Sequence, residues 1–149
     1  MDNKTPSPPQ KKSGFSEDQS EEMINIIRQD AEQQGMNPDE TLQRLGTAVK
    51  DPNVKLVKIR KTVFMLKQVQ PGVVEVHMFN GDSIPNMVQN FEGVIKTLKN
   101  YQMKQAYTYT DNPTFKQLVE RSGYPVQTTQ TVKPIRGEMK PVYLFTLDL

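Results

Sequence analysis

The sequence contains no cysteine, no tryptophan and a single histidine in 149 residues. Without thiols there is no disulfide framework, no thiol nucleophile and no thiolate metal site, and His77 alone cannot supply the cluster that zinc needs. No apolar run approaches the roughly 20 residues of a membrane span, and residues 1–14 lack the apolar centre of a signal peptide. The chain is therefore expected in the cytoplasm, or in an assembly built there. Charge of one sign is also missing: 19 basic residues stand against 17 acidic ones, for a net +2. Such a balance sets up no sustained field towards nucleic acid or a membrane surface. Lys55, Lys58, Arg60, Lys61 and Lys67 hint at a basic stripe, but they read more simply as a solvated strand face. There is no Gly-x-Ser-x-Gly elbow, no phosphate loop, no Gly-x-Gly-x-x-Gly and no internal repeat.

What is present is enough for one domain with a hydrophobic core. Residues 1–14 carry Pro6, Pro8, Pro9, Lys11 and Lys12 and no large apolar side chain, so they form a tail that cannot offset its own ordering entropy. The prolines restrict the free chain and suit the tail to lying along a partner, so these five residues are the candidate interaction residues. The domain itself is expected over residues 15–149.

Ser16 and Gln19 have capping-box spacing, and Met23, Ile24, Ile27 and Ala31 mark the apolar face of a helix over 17–34 that Gly35 ends. Asn37-Pro38-Asp39-Glu40 opens a second helix packing through Leu42, Leu45 and Val49. Strands are predicted over 54–59, 62–69 and 73–80, as an antiparallel meander turning at Arg60-Lys61 and Pro71-Gly72. Ile84, Met87, Val88, Phe91, Val94, Ile95, Leu98 and Tyr101 then recur at helical spacing over about five turns. A strand over 104–110 places Tyr107 and Tyr109 on one face. Asn112-Pro113 starts a short helix ending at Gly123, and two strands follow, over 126–132 and 141–149. Val142 to Phe145 is apolar on both faces, as in a strand inserted between two neighbours.

This order of elements resembles the acyl-coenzyme A N-acyltransferase family, whose fold is called GNAT. Locally the resemblance is carried by residues 109–124, where Asn112, the short helix and Gly123-Tyr124 fall in register with the family pattern. It implies an α/β (α+β) domain, with a mixed, mostly antiparallel sheet flanked by helices. A strand that the family places before the first helix has no counterpart in the sequence, which leaves one sheet edge unaccounted for.

The family also implies a site at the strand-to-helix junction, where backbone N–H groups of (Gln or Arg)-x-x-Gly-x-(Gly or Ala) hold a pyrophosphate. Here the junction reads Asn80-Gly81-Asp82-Ser83-Ile84-Pro85-Asn86. Pro85 removes one N–H, Asp82 brings a negative charge, and Asp82 and Ser83 read as helix caps. The tyrosine acid that many members carry in the short helix corresponds to Val119. Glu75 and His77, two apart on the central strand, are the candidate general bases; their alternative is a solvated polar pair. Tyr107 and Tyr109 are possible substitutes for the missing acid.

An intact scaffold with altered signatures leads to the expectation of a non-catalytic domain, with no cofactor, acting as a structural or interaction component. Its partners would be other proteins of an assembly, reached through the tail. In this it resembles acyltransferase-like proteins carried by tailed bacteriophages in their virions. The alternative is a coenzyme A-dependent N-acetyltransferase using Glu75 or His77, with acetyl-coenzyme A held by Gly81, Ser83 and Asn112.

Overall fold

The computed structural model describes residues 17–135 and 137–149. Pro6, Pro8, Pro9, Lys11 and Lys12, and the capping box begun by Ser16, lie outside them. The elements follow in the order α1 (Glu17–Gln33), α2 (Pro38–Ala48), β1 (Val54–Ile59), β2 (Thr62–Gln70), β3 (Val73–Asn80), α3 (Ile84–Asn100), β4 (Gln105–Thr110), α4 (Pro113–Ser122), β5 (Gln127–Ile135) and β6 (Glu138–Asp148). The strands form one six-stranded sheet in the order β1-β2-β3-β4-β6-β5. All neighbours are antiparallel except β3 and β4. The inserted strand is thus β6, as its two apolar faces require, and β1 is one edge.

Each face of the sheet buries a different helix layer. On one side Phe64, Leu66, Val74, Ala106 and Leu147 pack against Val94, Ile95 and Leu98 of α3. On the other, Val63 packs against Met23, Ile26 and Ile27 of α1 and Leu45 of α2. Successive strand residues point to opposite faces, so neighbouring Val63 and Phe64 anchor opposite layers. The α1 face differs from expectation by one position. Ile26 is buried while Ile24 is 41% exposed, because Met23, Ile26, Ile27 and Asp30 keep the i, i+3, i+4, i+7 spacing and Ile24 falls beside it. Val49 is likewise 40% exposed, since α2 has already ended at Ala48.

Local signals account for most boundaries. Asn37 Oδ1 accepts the Glu40 N–H at 3.1 Å, capping α2, and Gly35 takes φ 72° just beyond α1. The β1–β2 turn is made by Arg60 at φ 53°. Ser83 stands at the N-cap of α3 but its side chain makes no capping bond, contrary to the sequence reading. The last two strands are longer than their apolar runs suggest. Ile135 pairs with Glu138 across a hairpin containing Gly137 at φ 81°, so pairing extends through Lys133, Pro134, Met139 and Lys140.

Candidate active site

The parallel pair β3–β4 is in register only at Val73–Gln105, Val74–Ala106 and Glu75–Tyr107. Beyond Glu75, β3 remains paired with β2 as far as Asn80, and β4 remains paired with β6 as far as Thr110. The two strands therefore part company, and a wedge opens between their carboxyl ends. An antiparallel ladder alternates residues that bond their partner with residues that turn away. Asn80 gives its N–H to Asp30 Oδ1 at 3.2 Å instead of to β2. By the same alternation Met78 turns its N–H and C=O into the wedge.

A cavity of about 830 Å³ occupies this region, walled by α1 and α2, by β3 and β4, and by the β5–β6 hairpin. Glu75 and His77 line it together, and His77 Nε2 lies 3.3 Å from Glu75 Oε2. The structure thus places the two predicted bases side by side, within ion-pair distance, on the α1/α2 side of the sheet. Tyr107 stands directly opposite Glu75, with Tyr109 edge-on to it at 5.8 Å between ring centroids. Burial raises the Tyr107 phenol above its ordinary value, and the neighbouring Glu75 and Tyr109 push it the same way. Tyr107 is thereby held as a proton-bearing phenol. Lys133 Nζ sits 3.6 Å above the Tyr109 ring, a cation–π contact that fixes the ring from the β5 side.

At the wedge's far end the Gly81–Ser83 junction differs from its sequence reading. Asp82 Oδ2 accepts the Lys61 N–H at 2.9 Å and the Asn90 Nδ2–H at 2.8 Å, and lies 2.8 Å from Thr62 Oγ1. Asn90 and Thr62 are fully buried, and Arg60 donates to Asn90 Oδ1 at 2.8 Å. Because β2 flanks β3 on the side away from β4, the carboxylate is turned away from the wedge and spent on the β1–β2 turn. The expected negative charge in the phosphate cradle is not directed there. Gly81 is required by the same packing: a Cβ on it would stand 2.6 Å from the Lys61 carbonyl oxygen. Asn112 lines the cavity at the start of α4. Val119 is 5% exposed in the core, so α4 offers no acid at that position.

Two lining residues had no role in the sequence reading. Asp30 is 8% exposed, and Lys133 lies one residue past the strand expected over 126–132. The signal for Asp30 was its place on the apolar stripe of α1, three and four residues after Ile27 and Ile26. The basic stripe, in contrast, is taken up locally. Lys58 pairs with Glu22 at 2.5 Å, Lys55 lies over Tyr101, and Arg60 binds Gln89 and Asn90. Among the described residues no helix is long and apolar enough to cross a membrane, and no group of three or more His, Asp or Glu could hold a metal.

No family signature and no curated protein matches the sequence. Solved structures do. The chain is similar to a protein of Acinetobacter baylyi named as an acetyltransferase, at 15% identity over 91% of this chain and 89% of that one, with a TM-score of 0.61. A protein named as a phosphinothricin N-acetyltransferase matches at 10% identity over 91% and 95%, with a TM-score of 0.60. A spermidine N-acetyltransferase of Vibrio cholerae matches at 12% identity over 84% and 89%, with a TM-score of 0.56. At these identities the likeness shows the fold, which is that of the GNAT acetyltransferases.

Proposed function

We propose that this protein is an acyl-coenzyme A-dependent N-acyltransferase acting on a primary amine. The observation that carries this reading is the close Glu75–His77 pair, 3.3 Å apart at the root of the β3–β4 wedge. It replaces the non-catalytic expectation because a main objection to the site, the charge of Asp82 in the cradle, is removed by the bonds that turn that carboxylate towards β2.

Acetyl-coenzyme A would supply an acyl group activated as a thioester. The residues present fit such a molecule. The Met78 N–H and C=O can pair with its amides as a neighbouring strand would; Gly81 and Ser83 at the β3–α3 junction, and Asn112 at the start of α4, are the residues that would hold its phosphates. Pro85 leaves that junction one N–H poorer than the family pattern. Within the cavity, Glu75 and His77 are the groups that would accept the proton the amine loses as its nitrogen becomes nucleophilic, with the carboxylate lying beside the imidazole. Tyr109, which lines the cavity, and Tyr107 beside it would be the phenols able to supply a proton to the thiol leaving group, a role that Val119 cannot fill.

The test is release of free coenzyme A thiol from acetyl-coenzyme A in the presence of a panel of primary amines, alongside calorimetric titration of acetyl-coenzyme A. One-to-one binding with amine-dependent thiol release supports the reading; no heat and no release refutes it. A second reading, a non-catalytic member of a larger assembly, is favoured by Val119 and Pro85 and would make residues 1–14 a partner-binding arm. Under that reading, deleting residues 2–14 leaves the melting temperature unchanged and abolishes incorporation into the assembly.

A further inference from the structure

Asp30 is a carboxylate more than nine-tenths buried in the cavity wall. It accepts the Asn80 N–H and the Gln34 amide, at 3.2 Å each for the shorter contacts. No cation pairs with it among the described residues. A buried carboxylate that has hydrogen bonds but no counter-ion is costly to keep ionised, and a cationic ligand group would relieve that cost.

Its placement relative to the reacting end is equally informative. Glu75, His77 and Phe79 share one face of β3, and Asp30 is bonded at Asn80, so its carboxylate lies about 10 Å along the strand from His77 at roughly 3.3 Å per residue. Between the two ends the wall is apolar: Phe79, Met65, Leu45 and Ala48 all line the cavity. The sequence of surfaces is polar, apolar, anionic. Of the basic residues in the lining, Lys133 is engaged over Tyr109 and Arg44 is exposed, where solvent screens it.

We infer that the acceptor is a long alkyl diamine, its reacting nitrogen at Glu75–His77, its methylenes along Phe79 and Met65, and its second ammonium on the Asp30 carboxylate. The catalytic part of this inference rests on the acyltransferase reading; the cation site itself does not.

The matched probes are octamethylenediamine and octylamine, which differ in the second amine alone. With the full chain, kcat/KM for the diamine should exceed that for octylamine by at least ten-fold, through KM. Asp30→Asn keeps an oxygen for the Asn80 N–H and removes the charge, and it should bring the ratio of the two close to unity. Calorimetry without acetyl-coenzyme A should show octamethylenediamine binding at least ten-fold more weakly to Asp30→Asn than to the wild type. Equal use of the two amines by the wild type, or a ratio untouched in Asp30→Asn, overturns the inference. If no amine is acylated, the acyltransferase reading falls. Calorimetry then decides the cation site alone: Asp30-dependent diamine binding upholds it, and its absence refutes it.

Discussion

His77 Nε2 and Glu75 Oε2 meet at 3.3 Å across two residues of one strand, at the last level where β3 is still joined to β4. One side chain therefore lies where strand pairing ends and the other where the wedge has begun. The base pair is anchored by the paired sheet and faces the unpaired region, an arrangement that holds its geometry without filling the cavity.

Glu75→Gln should lower kcat by about 100-fold or more while leaving KM within a few-fold, the expected loss for a general base in proton transfer. Steady-state thiol release at saturating amine measures it. A variant with full kcat would assign the proton transfer elsewhere.

Asp82→Ala should cost about 1–2 kcal/mol of stability, because it takes the acceptor from the Lys61 N–H and one of two acceptors from the buried Asn90 amide. Urea unfolding measures this directly. A change near zero would mean that the β1–β2 turn is held by other contacts.

Phe91→Ala should cost about 2–3 kcal/mol, below the roughly 3–5 kcal/mol of a fully buried phenylalanine. Phe91 is half-buried, and it meets Phe115 and Tyr124 edge-on at 6.4 and 5.9 Å. The loss should therefore loosen α4 as well as α3. Hydrogen exchange on the α4 amides distinguishes this from a change confined to α3.

Stability should depend on pH through Asp30. Desolvation lifts its carboxyl above the ordinary value of 3.8, against the pull of the Asn80 N–H and the Gln34 amide. From 3.8 up to the raised value the folded chain retains a proton that the unfolded chain has released, so rising pH in that window weakens the fold. Asp30→Asn removes this dependence. Its stability relative to wild type should grow from acid to neutral pH, as followed by urea midpoints, and a constant difference would show that Asp30 titrates normally in the folded chain.

Much of the fold is visible in periodicity alone. The 3.6-residue spacing from Ile84 to Leu98, the cap at Asn37 and the two-faced apolar run at Val142–Phe145 each follow from local rules, and each has the predicted outcome. Glu75 and His77 were recognisable because two polar residues at i and i+2 on an otherwise apolar strand must share a face. Other features depend on tertiary contacts that no local pattern encodes. Asp82 looked like a cap because Asp before a helix usually is one, yet donors from the β1–β2 turn, β2 and α3 outcompete the helix end. Asp30 and Asn90 are polar, so an apolar pattern does not pick them out, although each occupies an apolar-stripe position on its helix. The β5–β6 hairpin runs past its apolar segments through Pro134, because an edge strand tolerates the missing N–H of proline.

The strand order carries a kinetic consequence. β5 comes before β6 in the chain but reaches the sheet only through it, so β5 cannot dock until a later segment has found β4. The order in which the sheet closes is therefore expected to place β5 after β6. The mostly exposed edge strand β5, paired with β6 alone, should fray ahead of the core strands, taking Lys133 away from Tyr109 while Glu75 and His77 stay in place. Exchange of its amides should be faster than that of β2 and β3, and the cavity would open by unzipping one wall, with no helix having to move.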